Sequence, residues 1–168
     1  MWIGLINVEA DKVVLCQYQI DLAKKGEVEI WTSSISLAEV FKKKCEGKDQ
    51  SLEESKDVEF EKYIEQEFLV EVQADHDVGL LARRLLRKYP MLKKPNDAIH
   101  LATALLNNID EMHTFDAENL LALDGQLDRI DGKKLVICKP PQPTQPDLLK
   151  ESGAEPLQAT SQQLPAAK

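Results

Sequence analysis

The chain has 168 residues, 43% of them hydrophobic and 30% charged, the mix of one soluble globular domain with a short appendage. No apolar run approaches the roughly 20 residues that span a bilayer, and the N-terminus lacks the basic start and apolar stretch of a signal peptide, so a cytoplasmic protein is expected. A net charge of −8 excludes a non-specific nucleic-acid coat, because phosphate contacts dominate that affinity; it leaves room for an enzyme that holds RNA through metal ions, or for a basic partner.

Asn7 to Lys25 predicts a helix, with Val14, Tyr18 and Leu22 on one face and Gly26 as its stop. Val28 to Thr32 reads as a short strand. Ser36 to about Lys44 reads as a helix with Leu37, Val40 and Phe41 inward, its C-terminal turn suited to Lys42, Lys43 and Lys44. A polar loop, Lys48 to Lys56, leads to a short helix around Phe60, Tyr63 and Ile64. Phe68, Val70 and Val72 alternate with Leu69, Glu71 and Gln73, a strand signature. His76 to Tyr89 is the clearest helix, with Val78, Leu81, Ala82, Leu85 and Tyr89 opposite Arg83, Arg84, Arg87 and Lys88. Asn96 to Asn107 is apolar nearly all round and predicts a buried helix; Met112 to Phe115 and Lys134 to Cys138 predict two more strands. This alternation implies an α/β fold, a three-layer sandwich around a mostly parallel sheet, whose ligands sit beyond the carboxyl ends of the strands. Six of the eight prolines fall after Lys139, so residues 1–138 form the expected domain and 139–168 a disordered Pro/Gln-rich tail.

The carboxyl-end rule singles out Glu39, Asp97 and Asp116, three acids on three segments. Converging carboxylates repel unless a cation sits among them, and oxygen donors suit Mg²⁺ or Mn²⁺. Each acid also has a local explanation. Ser36-Leu37-Ala38-Glu39 matches a capping box, Asp97 suits a helix first turn, and Asp116 suits the cap of a short helix beginning at Ala117. The run Arg83, Arg84, Arg87, Lys88, Lys93 and Lys94 reads either as a solvated face or as an RNA backbone track leading to Asp97. His100 lies one turn beyond Asp97, as a core histidine or as a neighbour of the acids. Trp2 and Trp31 read as core. His76, His113 and the three cysteines show no zinc spacing or disulfide framework, and no phosphate-binding glycine loop is present.

The wording around the acids is more specific. Ser36-Leu37-Ala38-Glu39-Val40, Asn96-Asp97-Ala98-Ile99-His100-Leu101-Ala102-Thr103-Ala104 and His113-Thr114-Phe115-Asp116 resemble blocks of PIN-domain nucleases, in the VapC-like toxin branch. The resemblance implies a metal-dependent endoribonuclease with RNA as substrate, often silenced by an antitoxin and often a homodimer. It carries Glu39, Asp97 and Asp116 over as metal ligands and Thr114 as a hydroxyl that orients water or an acid. One departure stands out. The family opens with a central strand ending in an Asp, whereas this chain opens Met1-Trp2-Ile3-Gly4-Leu5-Ile6-Asn7, similar to the family just after that motif. The expectation is a sheet split into two halves with exposed edges and an open core, and a truncated N-terminus. The alternative is a catalytically inactive PIN-like interaction module. A receiver-like domain, suggested by Lys139-Pro140, lacks the acidic pair and phosphoacceptor it needs.

Overall fold

The structure, a computed structural model, describes residues 1–45 and 48–143. In chain order the elements are α1 (Trp2–Ile6), α2 (Val13–Lys24), β1 (Ile30–Ser33), α3 (Ile35–Glu39), β2 (Lys42–Cys45), β3 (Lys48–Ser51), α4 (Glu54–Ile64), β4 (Leu69–Val72), α5 (His76–Lys88), α6 (Pro95–Leu106), β5 (Glu111–His113) and β6 (Val136–Cys138), with a 3₁₀ turn at Leu121–Leu123. The α/β expectation holds. The expected tail begins at the edge of the described residues, and 144–168 lie outside them.

β1 pairs in parallel with β4, and β5 pairs in parallel with β6, but the two pairs are not bonded to each other. Alternation along β1 defines the layers. Thr32 accepts a hydrogen bond from Trp2 Nε1 at 3.0 Å, and Ser33 faces the hydroxyl of Thr103 on α6 at 3.5 Å. One core therefore joins Trp2, Leu5, Ile6, Cys16, Ile20 and Phe60, from α1, α2 and α4, to one face. The other joins α5 and α6 to Leu123, Leu135 and Ile137. α6 is buried along most of its length, as its uniform apolarity predicts.

Helix ends follow local chemistry. Gly26 at φ +74° ends α2, with its N–H and that of Glu27 bonded back to Ala23 and Leu22. Asn108 at φ +54° ends α6 in the same way, with Ile109 N–H donating to Ala104. Asp75 caps α5, its carboxylate accepting from Val78 N–H at 3.0 Å. Buried Arg129 pairs with Asp110 and Asp131, fastening the turn before β6 to the start of β5.

Four expectations are corrected. The helix expected from Asn7 to Lys25 starts only at Val13, as α2; residues 2–6 form the separate α1, which Val8 at φ +53° closes with hydrogen bonds from Val8 and Glu9 back to Leu5 and Gly4. The helix from Ser36 to Lys44 is only α3; Val40 turns into the core and the chain leaves as β2. The polar loop after Lys48 begins as β3, antiparallel to β2. Trp31 is also not core: it is 38% exposed and bonds Glu29.

Val8 is exposed, so little packing is lost on replacing it. A β-branched residue in the left-handed region is costly, and glycine relieves that cost at the expense of some chain entropy. Val8→Gly should therefore raise stability by about 0.5–1 kcal/mol, measured by denaturant unfolding.

Candidate metal centre

The gap between the two half-sheets is a cavity of about 900 Å³. β1 and β5 line it along their lengths, and Glu39, Asp97, Thr114 and Asp116 line it too. Glu39 ends the short helix after β1, Asp97 stands in the first turn of α6, and Asp116 follows β5 by three residues. The structure thus brings the predicted acids to one cavity at the carboxyl ends of parallel strands.

Glu39 is placed from both sides. Thr32 donates its hydroxyl proton to Ser36 Oγ at 3.0 Å, which ties α3 to β1, and buried Val40 fixes the helix end. Its carboxylate accepts from Asn96 Nδ2 at 2.8 Å and lies 2.7 Å from His100 Nε2. The bond to His100 holds the Glu39 carboxyl below its usual range, with Asn96 helping against the opposing effect of burial. Glu39 does not close a capping box, since it lies at the end of α3 rather than its start. His100 is therefore a partner of the acids, not only a core residue.

Asp97 is the unsatisfied member. Its Oδ2 is buried with no hydrogen-bond partner among the described residues. Burial pushes its pKa up, and the charges of Asp116 and Glu39 push the same way against Lys94 and His100. Asp116 behaves as its local explanation foresaw, although it caps a turn rather than a helix. Its Oδ1 accepts from the N–H groups of Glu118 and Asn119 at 3.2 and 3.0 Å. Burial raises Asp116, but Asn119, Glu118 and Lys94 outweigh it and leave its pKa lowered. Thr114 is nearly buried, and its Oγ1 accepts from Asp116 N–H at 3.1 Å, a contact that orients the acid.

The acids are neighbours without being drawn to ligand distance. Among the described residues, the group of three whose donor atoms lie within 4.8 Å of one another is Glu111, His113 and Cys138, not Glu39, Asp97 and Asp116. Like charges explain this: two of the acids turn to local donors and the third is left desolvated. Three carboxylates with one orphaned oxygen form a donor set suited to a hard divalent cation. A family model described as PIN domain matches residues 17–131, well over half of the chain. The chain belongs to the PIN domain family. No curated protein and no solved structure matches it.

Family membership agrees with the α/β fold and points to a nuclease-type function for this PIN domain. The six basic residues predicted as an RNA track are all exposed, and Lys94 alone of them lines the cavity. No helix among the described residues is long and apolar enough to cross a membrane.

Because the folded-state pKa of Asp97 is raised, its contribution to stability is full below the ordinary carboxyl value of 3.8 and is lost as pH rises through the folded value. Asp97→Asn removes a desolvated charge, so in EDTA at pH 7 it should melt above the parent protein. That advantage should shrink to nothing on acidification. A parent that melts higher at pH 7 would show that Asp97 is satisfied in the folded state.

Proposed function

We propose that this PIN domain is a Mg²⁺- or Mn²⁺-dependent endoribonuclease of the VapC-like toxin kind, with Glu39, Asp97 and Asp116 as metal ligands. The buried, unpartnered oxygen of Asp97, a residue that lines the cavity together with Glu39 and Asp116, carries this reading. A hard cation bound there supplies the positive charge that acidifies an attacking water and neutralises the phosphodiester. The protein's own groups do the positioning. His100 and Asn96 hold Glu39, Asn119 and Thr114 hold Asp116, and Lys94 offers an exposed ammonium beside them for a phosphate. The remaining basic residues on α5 and after it extend that charge as a track for the RNA backbone.

We further propose that an extended strand preceding Met1 fills the cavity and brings a fourth carboxylate. Two observations support this. First, the hydrogen bonds that join β1 to β4 use Ile30 and Ser34, and those that join β5 to β6 use Asp110 and Thr114. By strand alternation, Trp31 and Ser33 on one side and Glu111 and His113 on the other turn their N–H and C=O groups toward the gap. Second, the Met1 amino group is buried beside Cys16 and Glu39, and burial lowers its pKa. A peptide bond at that point removes the charge and leads the chain directly into the cavity. An antitoxin partner and a homodimer accompany the toxin reading.

A second reading is favoured by one feature. Both oxygens of Glu39 are already bonded, to Asn96 and His100, as suits a structural acid in an inactive interaction module. One experiment separates the two. The chain, extended at its N-terminus by five or six apolar β-formers ending in Asp, should cleave single-stranded RNA with Mn²⁺. Cleavage should stop in EDTA and fall at least about 100-fold in Asp97→Asn. Cleavage that persists in EDTA or in Asp97→Asn contradicts the proposed site. No cleavage together with weak Mn²⁺ binding supports the inactive module.

A further inference from the structure

β5 and β6 are three residues each, and their register sets His113 opposite Cys138 and Glu111 opposite Val136. Met112 and Ile137 pack toward α5 and α6. By alternation, Glu111, His113 and Cys138 share the opposite face of this strand pair. His113 Nε2 lies 3.2 Å from Glu111 Oε2, and Cys138 Sγ lies 4.0 Å from the same oxygen. All three donor atoms fall within 4.8 Å of one another.

We infer that Glu111, His113 and Cys138 form a Zn²⁺ site that staples β5 to β6. Bonds of about 2.0–2.3 Å to zinc set tetrahedral ligand atoms roughly 3.3–3.7 Å apart. The imidazole and carboxylate, at 3.2 Å, lie close to that spacing, and small side-chain rotations of the half-exposed Glu111 and of His113 and Cys138 would bring all three donor atoms to it. One sulfur, one nitrogen and one oxygen make a borderline-soft set that favours Zn²⁺ over Mg²⁺ or Ca²⁺. This separates it from the all-carboxylate group of Glu39, Asp97 and Asp116.

Burial pushes the Cys138 thiol up, and the charges of Glu111 and Asp124 push it further, so the surroundings oppose the free thiolate and metal binding must drive the thiol proton to solvent. A metal bridging two short strands stabilises the pair through linkage, because it binds the folded arrangement and not the open one. Spacing rules miss this site because 24 residues separate His113 from Cys138 in sequence; only the strand register joins them.

The test uses Co²⁺ as a spectroscopic probe with the full chain. One equivalent should produce d–d bands of a four-coordinate site and a thiolate-to-cobalt charge-transfer band, and equimolar Zn²⁺ should displace it. Cys138→Ser should remove the charge-transfer band, and His113→Ala should weaken Co²⁺ binding at least about 10-fold. Cys16→Ser, Cys45→Ser and Asp97→Asn should leave the band in place. Zinc should raise the melting temperature of the parent and not of Cys138→Ser. A chain with no charge-transfer band, or a band that survives Cys138→Ser, overturns the assignment. Neither result bears on the Mn²⁺ dependence of RNA cleavage, so the two proposals fail separately.

Discussion

The constraint on which this structure turns is the pairing of backbone groups at the edges of β1 and β5. A parallel strand presents its N–H and C=O groups alternately to its two neighbours, and each of these strands has one neighbour among the described residues. The other edge of each faces the same cavity. An interior parallel sheet normally covers both edges of its central strands, because unpaired polar groups at a sheet edge invite pairing with another chain. Under the proposed reading, the 900 Å³ gap bordered by β1 and β5 has room for a further strand. Exposed apolar side chains at its rim, such as Ile3, Val28 and Trp31, fit the same reading.

That constraint also organises the acids. Glu39 and Asp116 follow the two strands that border the gap, and Asp97 opens the helix that packs beneath them. The proposed strand, set between β1 and β5 and parallel to both, would end where these acids stand and join Met1 beside Glu39. The same insertion adds apolar side chains to both cores, since a central strand buries its two faces. If the proposed strand is present, it completes the fold and the site together, and the unpaired edges of the half-sheets and the unsatisfied state of Asp97 share one origin.

Much of this was legible in the residues. α5 follows from its apolar stripe and basic face, α6 from its uniform apolarity, and the stop at Gly26 from the ease with which glycine adopts positive φ. The split sheet followed from comparing the opening residues with the family pattern. What escaped was set by tertiary context. Val8 reads as a helix or strand former, yet it sits at positive φ. Lys42–Cys45 and Lys48–Ser51 carry no alternating apolar pattern and still pair as a hairpin. Ser36 and Glu39 fit a capping box by spacing, but α3 starts one residue earlier and ends at Glu39, which sends the carboxylate to α6 instead. The Arg129 clamp and the Glu111, His113 and Cys138 group depend on long-range pairing that no local window contains.

The most direct test of the strand-shaped gap is amide hydrogen exchange at its two edges. The chain beginning at Met1 should be compared with the same chain carrying an extended apolar segment ending in Asp before Met1. The account predicts that the N–H groups of Trp31, Ser33, Glu111 and His113 exchange fast in the first and become strongly protected in the second, while Ile30 and Thr114, already bonded to β4 and β6, change little. Equal exchange at the four edge amides in both proteins would mean that the cavity does not receive a strand, and the shared origin proposed for the fold and the metal centre would fall with it.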